Sequence, residues 1–208
     1  MERKRWYKDM VFYQIWPRSF KDGNGDGMGD LLGVYEKLDY LKELGVETLY
    51  FNPIFEAAEN HRYGTADYDR IDPMLGTNED FSRLCDEAHK RGMKVMLDGV
   101  FNHTGDNSRY FDKYGEYGGK GAYSDESSQY RSWYSFGNDK DKYESWWGIK
   151  ILPRLNHENE SCRRFFTAED GVGAYYIKQG VAGWRLDVAD ELSDLFLDEF
   201  AESVKKAS

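Results

Sequence analysis

Two residues apart on a strand, an arginine and a carboxylate point to the same face, and the run GWRLDVADE offers that pair as Arg185 and Asp187. A guanidinium beside a carboxylate favours the ionised form, as a nucleophilic or metal-binding aspartate requires. The same pair serves elsewhere as a plain structural ion pair. A second polar group closes another apolar run, where DGVFNH carries Asp98 with Asn102 and His103 just beyond it. A histidine alone at a loop start is as readily a capping or core residue. The company of Asp98 is what makes His103 a candidate for chemistry.

Residues 22–30, DGNGDGMGD, set oxygen donors at alternating positions: Asp22, Asn24, Asp26, the Met28 carbonyl and Asp30. Hard oxygen ligands spaced by glycines suit calcium. The opening of this loop copies an EF-hand, but Gly33 stands where that motif needs its bidentate glutamate. A calcium site of another kind is expected.

These residues need elements to hold them, and short β-branched or aromatic runs alternate with longer amphipathic runs that end in glycine. That is the pattern of βα units. Residues 11–16 form the first strand candidate, and Leu31, Val34, Tyr35, Leu38 and Leu41 recur at helical spacing until Gly45. Residues 46–51 are the second strand, followed by a long loop through Tyr63 to Pro73. A helix then opens at Thr77, with Asp80 completing a capping box and Phe81, Leu84, Cys85 and Ala88 on one face. Residues 93–100 are the third strand, whose apolar run fits burial on both faces.

The rhythm breaks over residues 104–157, which are rich in Gly, Tyr, Ser, Asp and Trp. Plain loops longer than about 15 residues are uncommon, and Trp133, Trp146 and Trp147 give this stretch something to bury, so a small folded excursion is expected. A helical segment at about 159–180, a fourth strand at 181–187 and a fourth helix at 191–206 complete the chain.

The chain has 208 residues and a formal net charge of −10, which disfavours nucleic acid or an anionic membrane as partner. The only basic cluster is the short run Arg3-Lys4-Arg5. No stretch approaches the roughly 18 apolar residues of a spanning helix, and no apolar region follows the basic start. Cys85 and Cys162 lie far apart without metal-ligand spacing, and Cys85 falls on an apolar helix face, so buried free thiols in a reducing compartment are expected. The chain is expected to be soluble, not exported and cytoplasmic.

On these residues the sequence resembles the alpha-amylase family of glycoside hydrolases. DGVFNH (98–103) resembles the family signature at the third barrel strand and GWRLDVADE (183–191) the one at the fourth. LPRLN (152–156) is similar to the block near the end of the inserted domain in the neopullulanase and cyclomaltodextrinase group. YQIWPRSF followed by DGNGDGMGD resembles the opening strand and calcium loop of the oligo-1,6-glucosidase group.

The resemblance implies an α/β fold, the N-terminal half of a (β/α)8 TIM barrel of about four βα units with a small domain inserted after the third strand. The parts would be residues 1–103, 104–157 and 158–208. A closed barrel typically takes about 250 residues, so this one is expected to be incomplete. The resemblance further implies Asp187 as catalytic nucleophile and Arg185 as its electrostatic partner. His103 would hydrogen-bond sugar hydroxyls, Asp98 and Asn102 would support the site, Tyr63 of the NHRY block would stack on the sugar, and Glu191 would line the next subsite.

A retaining glycosidase also needs an acid/base carboxyl about 5 to 5.5 Å from the nucleophile. In the family that group is a glutamate ending the fifth strand, which lies beyond these 208 residues. The expected function is retaining hydrolysis of alpha-glucans or maltooligosaccharides, represented by a portion with little activity alone. A non-catalytic carbohydrate-binding or regulatory protein is the alternative. The expected partners are an alpha-glucan oligosaccharide, a structural calcium ion and, through open barrel edges, another copy of the chain.

Overall fold

Every apolar run expected to form a strand does so, trimmed by one or two residues at an end. The structure, a computed structural model, describes residues 6–208, and the basic run Arg3-Lys4-Arg5 lies outside them. The chain runs through β1 (Phe12–Ile15), a single turn α1 (Pro17–Phe20), α2 (Leu31–Glu36), α3 (Leu38–Glu43), β2 (Thr48–Phe51), β3 (Phe55–Ala57), β4 (Thr65–Ile71), α4 (Asn78–Lys90) and β5 (Lys94–Gly99). It continues through α5 (Glu160–Thr167), α6 (Val172–Lys178), β6 (Gly183–Leu186) and α7 (Asp194–Ala207).

Four parallel strands lie side by side in the order β1-β2-β5-β6. Their register puts Ile15, Phe51, Leu97 and Trp184 on one face and Gln14, Tyr50, Met96 and Gly183 on the other. The first face is sealed by helices: Leu31 and Val34 of α2, Leu38 and Leu41 of α3, Phe81, Leu84, Cys85 and Ala88 of α4 and Phe196 and Phe200 of α7 are all buried with it. The second face is open to half-buried. β5 therefore departs from the expectation of burial on both sides, because Val95 and Leu97 are buried while Lys94 and Met96 opposite them are only partly covered. Of the β5 residues on that face, Asp98 at the end of the strand is the one that is buried.

The helices follow their caps. α4 begins at the expected capping box, with Thr77 accepting from the Asp80 N–H and Asp80 accepting from the Thr77 N–H, an arrangement worth about 1 kcal/mol. The helix expected to continue to Gly45 is broken at Lys37, where nothing in the side-chain pattern marks a stop. The segment expected at 159–180 is likewise two helices. Gly171 at the break has no room for a side chain, since a Cβ there would stand 2.8 Å from the Phe165 carbonyl oxygen. The last helix starts at Asp194, capped by Ser193, which leaves Glu191 in a short 3-10 turn ahead of it.

The stretch expected to be a plain loop before Pro73 instead holds an antiparallel pair, β3 with β4. Two aspartates, Asp67 and Asp69, hide that strand from a reading by β propensity. Asp67 is buried because Arg109 reaches it at 3.0 Å. Between β5 and α5 the chain makes only 3-10 turns and isolated bridges, of which His103 to Arg154 ties its end back to its start. Tyr110, Phe111, Trp133, Tyr134 and Tyr143 form its buried layer. Trp146 and Trp147 do not join it, and Trp147 is 80% exposed. Both cysteines are buried free thiols, as expected. Among the described residues no helix is long and apolar enough to cross a membrane.

Candidate active site

Strand register assembles the cluster at the open face. Asp98 lies directly opposite Arg185 across β5 and β6, and Tyr50 and Met96 share that face one step earlier along the strands. Arg185 Nη1 donates to Asp98 Oδ1 at 3.0 Å and to Asp187 Oδ1 at 2.7 Å. One guanidinium nitrogen thus joins two carboxylates. Burial works against the Arg185 cation, but Asp187 and Asp98 more than offset it and raise its pKa.

Asp98 Oδ2 accepts from the Tyr50 hydroxyl at 2.7 Å and from the Tyr63 hydroxyl at 3.1 Å. Burial pushes the Asp98 carboxyl up, opposed by the Tyr50 hydrogen bond and the Arg185 charge. Burial, followed by the negative charge of Asp98, pushes the Tyr63 phenol up to about 12. Tyr50 is raised by burial and by its hydrogen bond to Asp98. Both phenols are therefore held as donors at neutral pH.

Tyr63 reaches this carboxylate from the connection between β3 and β4. The preceding residue, Arg62, is buried in the left-handed region at φ 61° and fixed by a 2.8 Å ion pair to Asp72. Asn52, two residues beyond Tyr50, donates to the Tyr63 hydroxyl at 3.2 Å and accepts from Gln14 at 3.0 Å. The network touches all four parallel strands before it reaches Asp187.

Asp187 is placed by its own backbone N–H, which donates to the Gly99 carbonyl at 3.0 Å and extends the pairing of β6 with β5. The chain then turns through Val188 at φ 42° and ψ 47°. A β-branched residue avoids this region, and the conformation costs on the order of 1–3 kcal/mol. The turn lifts the chain out of the sheet directly after the carboxylate.

His103 is buried, and its Nε2 has no hydrogen-bond partner among the described residues. Burial pulls its pKa down to about 4, against an opposing pull from Asp187, so the ring is neutral at neutral pH. A neutral imidazole nitrogen without a partner keeps its capacity to bond a hydroxyl, and in this structure the atom is covered. Its face stacks on Trp146, with centroids 5.3 Å apart.

Glu191 faces the protein. Its Oε1 accepts from Trp146 Nε1 at 3.1 Å and Trp147 Nε1 at 2.9 Å, and its Oε2 lies 3.5 Å from Asn102 Nδ2. Asn102 is buried beside His103. Tyr50, Asn52, Gln14 and the Trp146–Trp147 pair are cluster members that the motifs did not point out. For Tyr50 and Asn52 the alternation along β2 was the available signal, since it sets both on the face of Met96 and Asp98.

The oxygen-rich loop is a separate feature after α1. Asp22 accepts from the Gly25 and Gly27 N–H groups, Asn24 from Asp26, Asp26 from Met28, and Asp30 from Gly23, Asn24 and Gly33. All four side chains are thus turned onto the loop's own backbone, and among the described residues no three of His, Cys, Asp and Glu converge as a metal group. The donor chemistry fits a hard cation, because a carboxylate oxygen with one hydrogen bond keeps a lone pair. A cleft of about 800 Å³ between Trp133, α5 and α6 contains none of the cluster residues.

The profile of the family described as the alpha-amylase catalytic domain matches residues 14–203. The chain is 42% identical over 199 residues to an amylopullulanase of Thermoanaerobacterium thermosulfurigenes, covering 87% of this chain and 11% of that protein. It is 38% identical over 220 residues to a maltogenic alpha-amylase of Bacillus acidopullulyticus, covering 96% of this chain and 37% of the relative. Among solved structures, the ligand-free cyclic alpha-maltosyl-(1→6)-maltose hydrolase of Arthrobacter globiformis superposes with a TM-score of 0.86 at 35% identity, over 96% of this chain and 49% of that one. The chain spans well under half the length of these curated relatives.

Proposed function

The chain belongs to the alpha-amylase catalytic-domain family, and on that premise we propose that its cluster serves the retaining cleavage of alpha-glucans or maltooligosaccharides. Asp187 is the nucleophile that attacks the anomeric carbon and forms a covalent glycosyl-enzyme. Arg185 orients it and keeps its charge countered. Asp98 underpins the site by anchoring Arg185, Tyr50 and Tyr63 at once. The Tyr63 ring packs on the sugar, and His103 Nε2 meets a sugar hydroxyl.

One observation carries the reading: Arg185 Nη1 contacts Asp98 and Asp187 together, beside a buried histidine with a free ring nitrogen. The other carboxylates of the cluster do not supply the acid. Asp98 accepts on both oxygens from Arg185, Tyr50 and Tyr63, and Glu191 is taken by two indoles. A general acid is typically worth about 10² to 10⁴ in rate, so the 208 residues alone should bind a maltooligosaccharide and turn it over weakly. The same observation favours a second reading, a carbohydrate-binding protein without turnover.

Calorimetric titration with maltoheptaose, together with hydrolysis of a chromogenic maltooligosaccharide, tests both. Binding with turnover that Asp187→Asn abolishes supports the enzyme, and binding without turnover supports the second reading. No binding rejects both.

We further assign the 22–30 loop as a structural calcium site, with Asp22, Asn24, Asp26, the Met28 carbonyl and Asp30 as oxygen donors. The edges of β1 and β6, unpaired among the described residues, and the half-open face with Phe12 and Met96 support association with a second copy. Sedimentation equilibrium that returns a monomer at every concentration rejects that association.

A further inference from the structure

We propose that Trp147 is a stacking platform for a glucose unit of the bound chain and that Glu191 is the positioning residue that holds it. The inference rests on the alpha-glucan reading of the cluster and extends it outward. Trp147 is 80% exposed and sits in the left-handed region at φ 50° and ψ 27°, a conformation that a bulky residue avoids. It contributes almost nothing to the core, yet its place is fixed from two sides.

Its indole N–H donates to Glu191 Oε1 at 2.9 Å. Its ring lies on Trp146 with centroids 5.2 Å apart and planes 21° apart. Trp146 donates to the same oxygen at 3.1 Å and lies in turn on His103, with planes 24° apart. Three rings thus step outward from the buried histidine to solvent. One carboxylate satisfies both indole N–H groups, so the outer ring offers a flat apolar face with no polar demand of its own.

A face of this kind suits the C–H surface of a pyranose. Its place at the end of a stack that starts on His103 selects the sugar chain already proposed for the cluster. Glu191 then acts through the tryptophans and does not itself contact the sugar.

The test compares maltose and maltoheptaose affinities, by calorimetry on the 208-residue chain, for wild type, Trp147→Ala, Glu191→Gln and Glu191→Leu. Stacking of this kind corresponds to about a two- to tenfold effect, so Trp147→Ala should lower the maltoheptaose-to-maltose affinity ratio by that factor. Glutamine keeps an oxygen that accepts from both indoles and should preserve the ratio, whereas leucine should lower it as the alanine variant does. Far-ultraviolet circular dichroism reads the stack directly: the exciton couplet of the paired indoles should persist in Glu191→Gln and vanish in Glu191→Leu. Wild type that binds maltoheptaose, with an unchanged ratio in Trp147→Ala, overturns this inference alone. Wild type that binds neither sugar overturns it together with the reading it rests on.

Discussion

Asp98 and Arg185 face each other in the parallel register of β5 and β6, and the 3.0 Å contact between them joins a fully buried carboxylate to a guanidinium that keeps 42% of its surface. The pair is half in water, and its two ends respond differently to loss of the partner. Removing the arginine leaves a buried charge without its counterion, while removing the aspartate leaves a cation that solvent can reach.

Arg185→Met should therefore destabilise the fold by about 1–3 kcal/mol, below the range for fully buried pairs because of the exposed end. Adding Asp98→Asn to it should restore part of the loss. Urea denaturation of the two single variants and the double variant measures the coupling; strict additivity would contradict it.

Acid should weaken the protein in a defined window. His103 and His157 are both pulled down to about 4 by burial, while in the unfolded chain each titrates near its ordinary value of about 6.5. Between those values the unfolded state binds more protons, so stability is full at neutral pH and falls as pH drops from about 7 to 4. The combined loss is on the order of a few kcal/mol. Asp98, raised by burial, contributes with the opposite sign at the acid end. Urea midpoints at pH 7, 5.5 and 4.5 check the trend, and His157→Phe should flatten it.

Millimolar calcium should raise the melting temperature by a few degrees over the chelated protein, the size expected when an ion binds the folded state alone. Asp22→Ala and Asp26→Ala should abolish the response while Asp9→Ala leaves it intact. Differential scanning calorimetry with and without chelator decides. Equal melting temperatures in wild type would remove the calcium assignment.

Helix α6 meets α7 at Gly173, where a Cβ would stand 2.5 Å from a ring carbon of Phe200 and 3.0 Å from the Phe166 carbonyl oxygen. Gly173→Ala should cost about 1–3 kcal/mol through overpacking, against the gain alanine brings to a free helix. Gly173→Ala with Phe200→Leu should recover much of it. Thermal melts of the pair read the effect.

Much of this arrangement was legible in the residues. Apolar runs located β1, β2, β5 and β6, and the period of two along β6 put Arg185 and Asp187 on one face. Thr77 and Asp80 marked the start of α4 through a local hydrogen-bond pattern that sequence expresses directly. What escaped depends on contacts distant in the chain. β4 holds Asp67 because Arg109, 42 residues on, neutralises it. Tyr50 joins the cluster only because β2 lies beside β5. The aromatic content of residues 104–157 points to a buried layer, but half-buried Trp146 and exposed Trp147 stay outside it because both indoles donate to Glu191, whose position depends on the turn at Val188.

The two buried thiols make natural clocks for local opening. Burial pushes Cys85 up to about 12 and raises Cys162 as well, so neither reacts with a maleimide until its shelter parts. Cys85 lies on α4 against the parallel sheet and Cys162 on α5, so the two report on different layers. Labelling followed by mass spectrometry would time each separately. Matching rates would mean that sheet and aromatic layer open as one cooperative unit, and faster labelling at Cys162 would show that the segment around α5 breathes while the sheet stays closed.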